Sequence, residues 1–174
     1  MKTYIALLRG INVGGHKKIL MADLRALLES LNFQNVQTYI QSGNVVFTSD
    51  EKQDFEGIIA KVIETNYGWN VPILVKKASE MVKIIENCPF SEEKMEKSYF
   101  TLLQKKPSES QIEELETYSF PNEEFHVTQD CVYYFCSTGY ARTKMNGNLI
   151  QKKLQVNITT RNYRTMMKLI EMAS

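Results

Sequence analysis

Val36-Gln37-Thr38-Tyr39-Ile40, then Gln41-Ser42-Gly43, then Asn44-Val45-Val46-Phe47-Thr48 read as a strand, a tight turn and a second strand. Both runs are rich in β-branched and aromatic side chains, and Gly43 supplies the positive φ that short hairpin turns demand. What flanks this hairpin decides the fold. Upstream, residues 3–9 alternate as a strand, and Leu20, Leu24, Leu27, Leu28 and Leu31 recur at helical spacing along one stripe. Downstream, Asp50 with Gln53 three residues later reads as a capping-box-like helix start. Phe55, Ile58, Ile59, Val62 and Ile63 then mark a second helix, and residues 70–76 a fourth strand that Pro72 assigns to an edge. The order is β-α-β-β-α-β, the split βαβ or ferredoxin-like unit.

The second half repeats the layout less regularly. Residues 78–86 carry a helical stripe of Met81, Val82, Ile84 and Ile85, and Asn87 to Lys97 is a Pro-, Ser- and charge-rich connection. Residues 98–103 read as a strand, and Ser108 with Gln111 caps a short acidic helix reaching about Tyr118. A hairpin follows, from strands 124–128 and 131–136 around Gln129-Asp130. Residues 148–155 and 162–172 read as helices, with a last short strand near Ile158-Thr159. The expected fold is therefore α+β. It comprises two ferredoxin-like (split βαβ) units with antiparallel or mixed sheets and helices packed on one face. Residues 1–76 form the first unit, and residues 77–174 a second of similar layout with a helical C-terminal extension.

Composition narrows the function. A chain of 174 residues buries roughly 70% of the surface its unfolded form exposes. No apolar run approaches the ~20 residues of a membrane span, and Arg9 and its glycines follow too soon for a signal peptide. Cys88, Cys131 and Cys136 are odd in number and form no CxxC, which argues against a disulfide framework or a zinc cluster. Reduced thiols in a cytoplasmic protein are the simplest reading. With only His16 and His126 present, no metal site and no cofactor is expected. Charge is unevenly spread. Residues 77–130 hold six basic and twelve acidic side chains, and residues 131–174 hold seven basic and one acidic. Either the basic tail docks on the acidic middle, or it faces an anionic ligand.

Three segments could form a ligand site. In Arg9-Gly10-Ile11-Asn12-Val13-Gly14-Gly15-His16-Lys17-Lys18, glycines would let backbone amides approach an anion ahead of a helix N-terminus. Gly10 and Gly15 match the outer glycines of a P-loop, but His16 and Lys17 stand where Lys and Ser/Thr are required. The second segment is the hairpin itself. In a ferredoxin-like unit its turn lies at the same end of the sheet as the first loop, so Gln41, Ser42 and Asn44 could meet Arg9, Asn12 and Lys17. The third is the tail, where Arg142, Lys144, Thr160, Arg161 and Asn162 combine cations with a possible N-cap for the last helix. Each segment also has a plain structural reading: a wide βα turn, a hairpin turn chosen for backbone geometry, and an ordinary cap with surface arginines.

Residues 9–15, the stretch Tyr39-Ile40-Gln41-Ser42-Gly43-Asn44-Val45 and Thr159-Thr160-Arg161-Asn162 together resemble the signature of a bacterial family labelled domain of unknown function 1697. The run from Arg142-Thr143-Lys144 to Lys152-Lys153-Leu154 is similar to that family's basic turn and following helix. Tyr163 departs from the pattern, standing where many members carry Trp. The resemblance covers nearly the whole chain and implies a two-lobed α/β fold with ferredoxin-like halves. It implies no activity and lends no catalytic residue.

The leading functional expectation is the binding of an anionic ligand, a phosphorylated small molecule or a nucleic acid, at the glycine-loop and hairpin rim. Base stacking in the manner of an RNA-recognition motif is a poor fit, because the third strand carries a single aromatic, Phe47. The alternatives are a small-molecule enzyme using the same site, with His16 as its acid or base, and a protein-interaction module using the acidic middle or the basic tail.

Overall fold

The computed structural model describes residues Met1–Ser174. In its first half the elements are β1 (Lys2–Leu8), α1 (Met21–Glu29), β2 (Gln34–Tyr39), β3 (Asn44–Ser49), α2 (Phe55–Tyr67), β4 (Ile73–Lys77) and α3 (Ala78–Glu86). The second half adds α4 (Glu92–Glu96), β5 (Tyr99–Leu103), α5 (Glu109–Glu116), β6 (Glu123–Val127), β7 (Cys131–Cys136), α6 (Gly147–Leu154), β8 (Ile158–Asn162) and α7 (Tyr163–Met172). The strands form two four-stranded sheets, in the orders β2-β3-β1-β4 and β6-β7-β5-β8, with every neighbouring pair antiparallel. Each helical crossover therefore joins parallel strands that enclose an antiparallel one. This is the ferredoxin-like order, built twice.

Backbone packing divides the chain into an N-terminal unit, Met1–Val82 with Lys168–Ser174, and a C-terminal unit, Lys83–Met167. In the N-terminal unit Tyr4, Ala6 and Leu8 alternate along one face of β1 and pack with Leu24 and Leu28 of α1 and Ile59 and Ile63 of α2. Tyr4, Phe33, Phe47 and Phe55 form an aromatic cluster in that layer, with Phe33 stacked on Phe47 at 4.4 Å and Tyr4 tilted on Phe55 at 4.6 Å. Each such pair contributes about 0.5–1.5 kcal/mol beyond burial. The other face of β1, with Ile5 and Leu7, is equally buried. In the C-terminal unit Leu103, Val132, Tyr134 and Ile158 face Leu115 of α5 and Ile150 and Leu154 of α6.

Element ends refine the sequence reading. Helix α2 starts at Phe55, and its cap is Asp54, whose carboxylate accepts the Gly57 N–H at 3.0 Å. Asp50 instead takes the N-terminal ammonium. The expected connection 87–97 contains the short helix α4. The last strand is a full five residues long, so the final helix begins at Tyr163 and Asn162 caps it, accepting the Thr165 N–H at 2.9 Å.

Candidate functional site

The rim of the N-terminal unit is assembled by one side chain, Asn12. Its Oδ1 accepts the Ile19 N–H at 2.9 Å, while its Nδ2 donates to Ile19 O at 3.0 Å and to Gln41 O at 2.7 Å. It thus clasps both ends of the glycine loop and ties them to the hairpin. Asn12 itself sits at φ 52°, a left-handed conformation that asparagine tolerates better than most residues. Between these ties the chain doubles back. Asn12 N–H donates to Lys17 O at 3.1 Å and His16 N–H to Val13 O at 3.0 Å, with Gly14 and Gly15 both at positive φ. That is a type I′ turn, so this glycine pair closes a small hairpin.

The larger hairpin presses against the exit of β1. Leu7 pairs with Asn44, and Leu8 N–H donates to Gly43 O at 2.8 Å. Gly43 is at φ 85°, and a Cβ there would lie 2.6 Å from Leu8 Cβ and 3.0 Å from Ile11 Cδ1. Glycine is required twice over, for conformation and for contact. Asn44 is fully buried; its Nδ2 donates to Tyr39 O at 3.0 Å and Ser42 Oγ at 2.9 Å, holding the turn from inside.

The two turns that the topology assigns to one end of the sheet are therefore in direct contact, and the candidate side chains divide between them. Asn12, Ser42 and Asn44 bond within the rim. Lys17 donates its ammonium to Asn70 O at 2.8 Å, and Arg9, half-buried, donates its backbone N–H to Pro72 O at 3.0 Å. Gly10, His16, Lys18 and Gln41 are exposed. Sequence reasoning missed the aliphatic side chains among them. Val13, Leu20 and Ile40 are 63%, 60% and 52% exposed. Each is the chain neighbour of a residue that carries or receives the Asn12 clasp. Ile40 lies at φ 48°, an outlier for a β-branched residue. Leu20 is also the N-cap position of helix α1, where it offers no side-chain cap. No Asp or Glu occurs in residues 1–22 or 34–49.

The remaining candidates lie in the C-terminal unit. Arg142 ends the 3₁₀ turn Tyr140–Arg142 and is exposed, as is the Lys144 side chain. Lys144 N–H donates to Glu123 Oε1. Thr160 Oγ1 meets Thr101 Oγ1 at 2.8 Å, and Arg161 donates to Thr160 O at 3.0 Å. Arg161 stands opposite Phe100 in register, and burial pulls its guanidinium below the ordinary arginine range, to about 10. The three cysteines form no disulfide, no group of three His, Cys, Asp or Glu side chains is placed to hold a metal, and no helix is long and apolar enough to cross a membrane.

A family model described as a protein of unknown function, DUF1697, matches residues 1–133. The chain belongs to this family. Its fold is also similar to that of the conserved bacterial protein SP0830 from Streptococcus pneumoniae, with 26% identity, a TM-score of 0.77 and 99% of each chain covered. No curated protein matches. The DUF1697 description names no activity.

Proposed function

We propose that the rim of the N-terminal unit binds a polyanion, the phosphate backbone of a nucleic acid, through Arg9, His16, Lys17 and Lys18. The observation that carries this reading is the Asn12 clasp, which ties a cation-bearing loop and a carboxylate-free hairpin into one surface. A small phosphorylated ligand suits the rim less well, because the Gly14-Gly15 pair is used for a turn and Asn12 and Asn44 bond inward. A backbone read by charge needs no enclosed cradle. The exposed Val13, Leu20 and Ile40 give the same surface apolar contact of the kind that aliphatic wedges make with base steps.

Fluorescence anisotropy with single-stranded and duplex oligonucleotides tests the reading. Binding is expected at low salt, with an affinity drop between roughly 50 and 200 mM salt of about fortyfold on duplex and about twentyfold on single strands if about three phosphates are contacted. Lys18→Glu should weaken it further. Absence of binding at low salt, or binding indifferent to Lys18→Glu and to salt, rejects the proposal.

A further inference from the structure

Strand β6 is the outermost strand of its sheet: β7 pairs with one side of it and no strand pairs with the other. Unpaired backbone donors and acceptors on such an edge are a template for one more strand. At β4, a terminal strand of the other sheet, the protein covers a donor itself, with Glu56 Oε1 accepting the Val75 N–H at 2.9 Å. At β6 the chain covers only the first donor, Glu123 N–H to Phe120 O at 3.3 Å, and beside the strand lies an open groove of about 540 Å³. Glu123, Glu124, Phe125 and His126 of the strand line it, with Glu116 at the end of α5, Tyr118 just beyond it, and Phe90.

The lining holds three carboxylates and no lysine or arginine. Lys94 engages Glu124 at 2.7 and 2.8 Å. Glu123 is half satisfied: Oε1 accepts from Tyr134 OH and from Lys144 N–H, while Oε2 is buried without a partner. The same region already seats ammonium groups between a carboxylate and a ring. Lys153 lies 2.6 Å from Glu114 and 5.7 Å from the centre of Tyr118, and Lys94 lies 5.6 Å from the centre of Phe135.

We propose that the β6 edge docks an extended, lysine- or arginine-bearing segment of a partner protein as an added strand. Main-chain bonds to β6 supply the register, and the rings and carboxylates receive alternate basic side chains with their apolar stems. The charge complement selects this occupant over a second copy of the chain, since joining β6 to β6 would bring two carboxylate-lined grooves to one seam. The proposal is independent of the nucleic-acid rim.

The test uses the full isotope-labelled chain and a short synthetic peptide alternating lysine and valine. Saturable amide shifts confined to β6 and the groove, with slowed exchange of β6 amides, are expected. An alternating glutamate and valine peptide, and a lysine and valine peptide interrupted by proline, should fail to bind. Glu116→Lys should weaken binding about threefold to fivefold, its unchanged spectrum elsewhere serving as the control for folding. No saturable binding, equal binding of the acidic peptide, or shifts on another surface would overturn the proposal. So would concentration-dependent broadening of β6 without peptide, which assigns the edge to a second copy.

Discussion

Ile40 and Gly43 occupy one turn, both at positive φ, for opposite reasons. Gly43 is pressed against Leu8 and Ile11, so an added methyl has nowhere to go. Gly43→Ala is expected to lower the unfolding free energy by about 2–4 kcal/mol, combining left-handed strain with overpacking. Ile40 is strained and yet exposed, so the packing that normally compensates strain is small. Ile40→Gly should raise stability by up to about 1 kcal/mol while weakening oligonucleotide binding at the rim. Urea midpoints and anisotropy on the same preparations check both effects. A destabilised Ile40→Gly would mean that the side chain is kept for packing and not for contact.

Caps and turns carry the comparison between sequence and element. The hydrophobic periods marked the strands and crossover helices of both units and left only the short α4 unread, because burial of one face is the strongest constraint on local structure. Helix starts were harder: the expected cap, Asp50, lies upstream of the true one, Asp54. The apolar stripe begins at Phe55, and the residue immediately before it wins. Asp54→Ala should therefore cost about 1 kcal/mol, and Asp50→Ala less than about 0.5 kcal/mol, as its ion pair with the N-terminus is solvent-exposed. Thermal melts of the two variants distinguish them. At the rim, topology made the meeting of the two turns legible. Which asparagines turn inward was not, since nothing in composition separates an Asn that bonds its own backbone from one facing a ligand. The exposure of Val13, Leu20 and Ile40 was hidden for a related reason: in sequence an aliphatic residue at an element boundary looks like the last core position.

For the whole molecule, the charge asymmetry resolves only partly into contacts. Lys153 of the basic tail pairs with Glu114 of the acidic middle at 2.6 Å, while Arg142, Lys144 and Lys152 form no ion pair. Global stability should respond to pH mainly at the alkaline end. Tyr133 and Tyr134 are buried, donating to Ile84 O and Glu123 Oε1, and desolvation raises both phenols well above their usual value. Above about pH 10 the unfolded chain sheds these protons and the folded chain keeps them. The stability they contribute is thus full below pH ~10 and declines above it, by about 1.4 kcal/mol per pH unit for each tyrosine. Arg161 acts with the opposite sign. Its folded value is lowered, so above about pH 10 the unfolded state binds more protons at this group and offsets one tyrosine. Tyr133→Phe and Tyr134→Phe isolate the phenols, because Arg161 is common to all three chains. Each variant is expected to lose about 1 kcal/mol near neutral pH for its missing hydrogen bond. Each should then have a urea midpoint that falls less steeply than the parent's between about pH 10 and 11. Parallel slopes in parent and variants would mean that these phenols ionise in the folded protein as readily as in water, and that the sheet around them opens before the chain unfolds.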